Sequence, residues 1–206
     1  KGEDPDEPGG YIIINGTEKV LITIEDLASN RFLVERDSTG PSEIVGKLFS
    51  EYGSFKIPHT VEKMKDGIFY LTFTRVKRVP IIVVIKALGL LKDEEITKLI
   101  SAERQFDDVI INLLEFVAIK NELDALDFVA KKIGITQSKE VRIERTREIL
   151  DKYLLPHLGI KPENRIIKAY NLCKMIKKII QVSIGRVGVY DKDNNLNKKL
   201  KMSVDM

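Results

Sequence analysis

The chain changes character near residue 80, and this change limits the folds open to it more than any other feature. Before it, two turn sequences, Asn15-Gly16 and Asp66-Gly67, separate stretches rich in β-branched and aromatic residues, which is typical of β-hairpins. After it, apolar residues recur three and four positions apart, as they do on the buried face of a helix. Strands followed by helices predict an α+β fold, in which a β-rich N-terminal part made of hairpins packs with an α-helical C-terminal part.

The same two periodicities predict the individual elements. Extended segments are expected at residues 11–14, 20–24, 31–35, 44–49, 60–64 and 68–74. Helices are expected at residues 81–88, 93–101 (with Asp93 as its cap), 107–117, 123–133, 140–155 and 162–183. On the last helix, one buried stripe is predicted from Ile166, Tyr170, Cys173, Ile176, Ile180 and Ile184. Four lysines are expected to lie off this stripe: Lys168, Lys174, Lys177 and Lys178.

The composition is that of an ordinary globular protein. With 206 residues, of which 43% are hydrophobic and 32% charged, the chain is neither collagen-like, nor a disulfide scaffold, nor wholly disordered. Cys173 is the only cysteine, which favours a reducing, cytoplasmic location. The apolar runs fall short of the roughly 20 residues of a membrane-spanning helix. Because the chain opens with Lys1 instead of Met, we interpret it as part of a longer protein.

Positive charge is concentrated towards the C-terminus. Residues 161–206 carry 11 Lys and Arg against 4 Asp and Glu, a balance of +7 in a chain whose formal charge is +3. Residues 1–160 therefore carry a balance of −4. A basic segment of this kind can face a polyanion, because lysines near phosphates release condensed counterions. The alternative interpretation is a solvated lysine face on a helix.

Residues able to carry chemistry are few. His157, between two predicted helices, is expected to bond backbone groups at a corner, and His59 is expected to be a polar loop residue. Cys173 lies on the apolar stripe, where a buried thiol is inert. Motifs of nucleophilic catalysis and phosphate-binding loops do not occur in the sequence, so we predict no catalytic residue, no metal site and no cofactor. The acidic pairs Asp107-Asp108 and Asp124 with Asp127 are interpreted as helix caps.

Four sequence stretches follow one another in an order that resembles a known family. They are PGGYIIINGTEKVLI at residues 8–22, VPIIVVIKALG at 79–89, LPHLG at 155–159 and DKDNNLNKKL at 191–200. Together they resemble the second-largest subunit of archaeal and eukaryotic DNA-directed RNA polymerases. The last stretch departs from the family pattern at residues 194–196, where Asn-Asn-Leu replaces the usual His-Tyr-Gly.

The resemblance implies a place within that enzyme. The chain would be the lobe of the subunit, which lines the downstream DNA cleft and has no catalytic site of its own, although the whole enzyme is a nucleotidyltransferase. Residues 1–30 would be a leading hairpin of the parent subunit, residues 31–185 the lobe, and residues 186–206 a basic exit segment towards the fork region. The catalytic Mg²⁺ is expected on the largest subunit. Expected partners are the other polymerase subunits, downstream double-stranded DNA and transcription factors, but no membrane, in the cytoplasm or, in a eukaryote, the nucleus.

The resemblance also implies two sets of surface residues. The DNA-facing candidates are Arg186, Lys192, Lys198, Lys199 and Lys201, which we expect to contact phosphates and not to read bases. The alternative function is that of a module for docking transcription factors or zinc-ribbon subunits. Its candidates lie on the acidic body, residues 93–148: Glu94, Glu95, Asp107 and Asp108. An independent small enzyme would have to depend on His59 or His157, and nothing else in the sequence favours it.

Overall fold

A computed structural model describes residue 6 and residues 9–20, 22, 24–36, 40–74, 76–101, 107–191 and 194–201, with the backbone alone at residue 201. The strands are β1 (Tyr11–Ile14), β2 (Thr17–Val20), β3 (Ile24–Leu27), β4 (Leu33–Arg36), β5 (Ser42–Tyr52), β6 (Phe55–Met64), β7 (Phe69–Phe73), β8 (Val76–Pro80) and β9 (Lys198–Lys201). The helices are α1 (Ile81–Ala87), α2 (Asp93–Ile100), α3 (Asp107–Glu115), α4 (Glu122–Ile133), α5 (Lys139–Tyr153) and α6 (Arg165–Ser183). The predicted α+β class is confirmed.

The chain forms two compact units, one from residues 29–190 and one from residues 1–28 with 191–206. In the smaller unit, β1 and β2 form a hairpin around Asn15 and Gly16, whose φ angles of 54° and 73° suit a tight hairpin turn. This confirms the hairpin predicted at Asn15-Gly16, but its second strand is Thr17–Val20 and not the predicted segment 20–24. The second pair of strands, β3 and β9, is antiparallel and brings together two segments far apart in the sequence. The predicted division at residues 30 and 185 stays a prediction.

The larger unit contains a five-stranded antiparallel sheet whose strands follow chain order, β4-β5-β6-β7-β8. The predicted strands at residues 31–35, 44–49, 60–64 and 68–74 are all present, and β5 and β6 are longer than expected. Strand β8 was not predicted. It contains the exposed Lys77 and Arg78, and Arg78 has a φ of 47°, so this strand lacks a regular alternation of apolar and polar residues.

A layer of helices covers the sheet and closes the core. Every residue of α1 is buried, because this helix packs against α4 and α6 as well as against β7 and β8. Strand β7 contributes Phe69, Leu71 and Phe73 to the same core. Helix α1 begins directly after Pro80 and is followed by Gly89 with a φ of 98°, as the sequence predicts.

Helices α2 and α6 correct three details of the prediction. Asp93 is the first residue of α2 and not its cap, which is Lys92. On α6 the predicted stripe is buried in its middle, but Ile166 and Ile184 at its ends are exposed. Lys168 does not lie off the buried face, because its side chain is completely enclosed beside the end of α5.

Candidate nucleic-acid and protein-binding surfaces

A buried histidine organises the corner that follows α5. His59, in β6, is 1% exposed and stacks on Phe73 at 5.7 Å between ring centroids. Its Nε2 accepts the Leu155 amide at 3.0 Å, which leaves Nδ1 to donate to the Ile57 carbonyl at 3.1 Å. Burial lowers the pKa of His59 to about 4, so the ring is neutral at physiological pH. The prediction of a polar loop residue was therefore wrong.

The chain turns sharply at the same corner. Leu155 has a φ of 44°, an uncommon left-handed conformation for a leucine, and its amide is the one bonded by His59. His157 lies two residues on, with Nδ1 at 2.7 Å from the Ser50 hydroxyl and its amide donating to the same oxygen at 3.3 Å. The His157 ring thus bonds a side chain of β5 where we expected a backbone partner. Gly159 has a φ of 112° in this turn, a conformation that strains any residue with a Cβ, and a Cβ there would also lie 2.0 Å from the Asn164 side-chain nitrogen.

Lys168 is buried because its ammonium donates hydrogen bonds to carbonyls at the end of a helix. Its ammonium donates to the carbonyls of Leu150 at 3.1 Å and of Asp151 at 2.6 Å. These carbonyls belong to the last turn of α5, where helical partners are missing and a positive charge is favourable. Burial nevertheless lowers the pKa of Lys168 to about 8. A lysine that the sequence places off the apolar stripe is therefore buried and bonds the end of α5 inside the protein.

The four predicted docking acids differ in how accessible they are. Glu94 on α2 and Asp107 at the start of α3 are exposed. Glu95 is half-buried and accepts the Tyr170 hydroxyl at 3.3 Å. Asp108 lies 2.8 Å from the ammonium of Lys63, whose side chain is largely buried. Glu94 and Asp107 thus present their carboxylates to solvent, whereas Asp108 neutralises an internal lysine.

Asp127 was interpreted as a helix cap, and this was wrong. It lies inside α4, is largely buried, and pairs with Arg142 at 2.6 Å and with Lys131 at 2.7 Å. The hydrogen bond from Lys131, together with that from Arg142, lowers the pKa of Asp127. Asp124 lies in the first turn of the same helix, where a carboxylate is favourable.

The predicted DNA-facing residues are distributed over both units. Lys198 and Lys199 are successive residues of β9 and therefore point to opposite faces of the strand. Lys198 pairs with Glu25 at 2.9 Å, whereas Lys199 is exposed. Arg186 is exposed after the end of α6, in the larger unit. Lys192 and the side chain of Lys201 lie outside the described residues.

Two concave surfaces of the larger unit escaped the sequence analysis. One is an apolar groove of about 310 Å³, lined by Tyr52, Phe55, Tyr153, Pro156 and Ile160 among others. The other, which we call the lysine basin, has a volume of about 170 Å³ and is lined by Asn30, Phe32, Leu48, Leu155, His157, Asn171, Lys174, Met175 and Lys178. Both combine residues far apart in the sequence, so spacing alone could not reveal them. The only local signal was the row of lysines on α6.

Among the described residues, no group of three or more His, Cys, Asp or Glu side chains is placed to hold a metal ion. Within the same part of the chain, no helix is both long enough and apolar enough to cross a membrane. Cys173 is buried, and burial raises the pKa of its thiol to about 12, as expected for an inert cysteine.

Comparison with known proteins identifies the family. The family described as RNA polymerase Rpb2, domain 2 matches residues 28–201. The chain belongs to this family. DNA-directed RNA polymerase subunit Rpo2 of Saccharolobus solfataricus is 41% identical over 208 residues, which cover all of this chain and 18% of that protein. Subunit Rpo2N is 39% identical in Methanocaldococcus jannaschii and 37% in Halobacterium salinarum, over 42% and 40% of those proteins.

This Rpb2 domain 2 chain spans less than half the length of each of these relatives. Two of its family-like stretches now have a structural meaning. Residues 79–89 run from the end of β8 through the fully buried α1, and residues 155–159 form the corner held by His59 and Ser50. The resemblance in these stretches is therefore carried by residues that build the core and the turn after α5.

Proposed function

We propose that the chain is the lobe of the second-largest subunit of a DNA-dependent RNA polymerase and lines the downstream DNA cleft without a catalytic site of its own. The match of residues 28–201 to RNA polymerase Rpb2, domain 2 supports this proposal more than any other observation. The relatives named above are polymerase subunits, so the partners proposed for this chain are other polymerase subunits. Nucleotidyl transfer would take place elsewhere in the assembled enzyme, with Mg²⁺ on the largest subunit.

In the proposed contact, lysine side chains bind the phosphates of the DNA backbone. Lys199 is exposed on β9, and Lys198 is already oriented by Glu25 on the neighbouring strand β3. Lysines bind phosphates as compact cations, whereas bidentate recognition of base edges is better served by arginine. The proposed role is therefore to hold duplex DNA of any sequence, with Arg186, Lys192 and Lys201 as further candidates.

The affinity of the 206-residue chain for duplex DNA, measured between about 50 and 200 mM salt, tests this proposal. The test variant replaces Lys192, Lys198, Lys199 and Lys201 with Glu. A matched control replaces with Glu four lysines that are exposed in the larger unit: Lys98, Lys120, Lys132 and Lys161. Both variants change the net charge equally.

Weak binding with a steep salt dependence, abolished in the test variant and retained in the control, is the expected result. Each lysine that no longer neutralises a phosphate lowers the logarithmic salt slope by about 0.9. Equal weakening in the two variants would assign the binding to overall charge and would contradict a specific role for the exit segment. Absence of binding by the unmodified chain at low salt would contradict direct DNA contact by this chain.

A second candidate function, docking of a protein factor, is favoured by the exposure of Glu94 and Asp107. Exposed carboxylates can steer and orient a basic partner surface. In the assembled polymerase, replacing both residues with Lys should reduce recruitment of such a factor. Replacing Glu144 and Glu148, which are exposed on α5, provides the charge-matched control. Recruitment that is unchanged by the first pair would place the docking site elsewhere.

A further inference from the structure

The lysine basin collects nitrogen donors from three parts of the larger unit. Asn171, Lys174 and Lys178 are spaced three and four residues apart and therefore share one face of α6. His157 reaches the basin from the corner after α5, and Asn30 from the loop before β4. The described residues that line the basin include no carboxylate.

Hydrogen bonds hold two of the three α6 side chains, Asn171 and Lys178, in place without using all their donors. The ammonium of Lys178 is half-buried and donates to the Phe32 carbonyl at 2.7 Å, which uses one of its three N–H groups. Asn171 donates through Nδ2 to the Ile167 carbonyl at 2.9 Å, which uses one of two. Lys174 is exposed at the mouth of the basin. Lys178 and Asn171 are therefore preorganised, and Lys174 adds an exposed positive charge beside them.

His157 can add a further donor. Because the Ser50 hydroxyl accepts the His157 amide, its own hydrogen can be donated to Nδ1 at 2.7 Å. In this arrangement the neutral ring carries its proton on Nε2 and can donate from there. Asn30 is fixed by a bond from the Glu51 amide to its Oδ1 at 2.8 Å and by a bond from its Nδ2 to the Glu51 carbonyl at 3.3 Å.

The electrostatic surroundings favour an anion. Burial lowers the pKa of Lys178, and the positive charge of Arg31 lowers it further. Burial also lowers the pKa of His157, with an additional contribution from Lys168. In both cases the neighbouring charge that acts on the group is another cation. A bound anion would offset this repulsion, and a tetrahedral oxyanion can accept several of these N–H groups at once.

We propose that the lysine basin binds a phosphate group through the ammonium groups of Lys174 and Lys178, with Asn171 and His157 as additional donors. The backbone of duplex DNA is one source of such a group, and for this source the site rests on the proposed function. Free inorganic phosphate is the other source and requires no DNA. The shared chemistry is a phosphate oxyanion held by cationic and neutral N–H donors.

Two measurements on the 206-residue chain separate these sources. In the first, amide NMR signals are followed while sodium phosphate replaces sodium chloride at constant ionic strength. In the second, binding of a short fluorescent DNA duplex is followed by anisotropy as a function of salt. The variants are Lys174→Glu and Lys178→Gln, and the control is Lys132→Glu, which makes the same change of charge as Lys174→Glu on the exposed side of α4.

We expect saturable phosphate shifts at His157 and across residues 171–178, and their loss in both basin variants but not in the control. We expect the duplex to bind more weakly to Lys174→Glu than to the control, with a salt slope lower by about one. Because Lys178 also bonds Phe32, circular dichroism has to show that Lys178→Gln is folded. Should it be unfolded, Lys174→Glu alone decides, since Lys174 is exposed.

The outcomes distinguish this site from the proposed function. Phosphate shifts without any duplex binding would support the basin as a site for free phosphate and would contradict DNA contact by this chain. Duplex binding with no phosphate shifts, and with equal affinity in Lys174→Glu and the control, would overturn the basin and leave the DNA-facing role standing. Shifts that are equally strong in the basin variants would also overturn it.

Discussion

The two units of the chain use β-strands in opposite ways. In the larger unit, alternate residues of β7 are fully buried under the helices, and the sheet is one layer of a two-layer core. In the smaller unit, seven of the eight residues of β1 and β2 are exposed, among them Ile13 at 65%. Both regions are rich in isoleucine, valine and leucine, so composition does not separate them.

The contrast shows which forces specify each region. The hairpin of β1 and β2 needs only a turn that accepts positive φ and two strands of high β-propensity. The meander of β4 to β8 needs the helices, because its apolar face is stabilised by burial against them. We therefore expect large effects of substitution in the larger unit and small ones in the smaller unit, and the following predictions test this difference.

The largest expected effect comes from a cavity in the sheet. Leu71 in β7 is fully buried, so Leu71→Ala should lower the free energy of unfolding by about 3 to 5 kcal/mol. The same change at Leu200, which is 61% exposed in β9, should cost less than about 0.5 kcal/mol. Urea denaturation followed by circular dichroism measures both. Similar losses of stability in the two variants would contradict the proposed difference between the units.

The next effect is a dependence on pH that belongs to the larger unit. The folded chain keeps His59 neutral down to about pH 4, whereas an unfolded imidazole takes up its proton near pH 6.5. The contribution of His59 to stability is therefore complete above pH 6.5 and is lost as the pH falls towards 4, a change of about 3 kcal/mol. Urea titrations of the unmodified chain and of His59→Gln between pH 4 and 8 measure it.

In His59→Gln, the slope of stability against pH between 4 and 6.5 should be shallower than in the unmodified chain. Carboxylates contribute to both slopes, so the difference between the two proteins isolates the histidine. Parallel slopes would show that His59 gains its proton without cost in the folded state.

A third and smaller effect is expected at the end of α5. Lys168→Met removes the ammonium that bonds the carbonyls of Leu150 and Asp151, which should cost about 2 kcal/mol of unfolding free energy. Lys174→Met, on the same helix but exposed, should change stability by less than about 0.5 kcal/mol. Thermal and urea unfolding compare the two. If Lys168→Met were the more stable variant, the desolvation of the lysine would outweigh its hydrogen bonds.

The smallest effect is expected in the hairpin. Ile13→Thr keeps a β-branched side chain on an exposed strand and should change the unfolding free energy by less than about 0.5 kcal/mol. Val61→Thr, at a fully buried position of β6, is the matched comparison and should cost several times more. A decrease above about 1 kcal/mol for Ile13→Thr would show that the hairpin shields apolar surface in solution.

The sequence predicts elements well where the signal is local. The Asn-Gly turn was sufficient to predict the first hairpin, and Pro80 and Gly89 were sufficient to predict the limits of α1. The three-and-four spacing of apolar residues was sufficient to predict α4 and α5. Strand β8 was missed, because its polar pair and the left-handed Arg78 break the two-residue period. Local rules cannot detect a strand that is identified by its neighbour, β7, and not by its own pattern.

Polar residues of the core were harder to predict from the sequence. His59 bonds an amide 96 residues away, and Lys168 bonds carbonyls 17 and 18 residues away. In the sequence each is a polar residue beside apolar ones, which is equally typical of the surface. The lysine basin has the same origin, since its donors meet only after the loop before β4, the corner and α6 have packed. The positions of such sites depend on tertiary packing, and the family resemblance could not supply them.

The pairing of β3 with β9 joins the chain segments on either side of the larger unit. Leu27 is opposite Lys198, and the Ala28 amide donates to the Asn197 carbonyl at 2.9 Å, so the chain segments before and after residues 29–190 are hydrogen-bonded to each other. A segment closed in this way behaves as an insertion cassette, whose two ends need little spacing in a host loop. Transplanting residues 24–201, whose terminal residues Ile24 and Lys201 are opposite each other in this pair of strands, into an exposed hairpin of an unrelated protein would therefore preserve the fold of both partners.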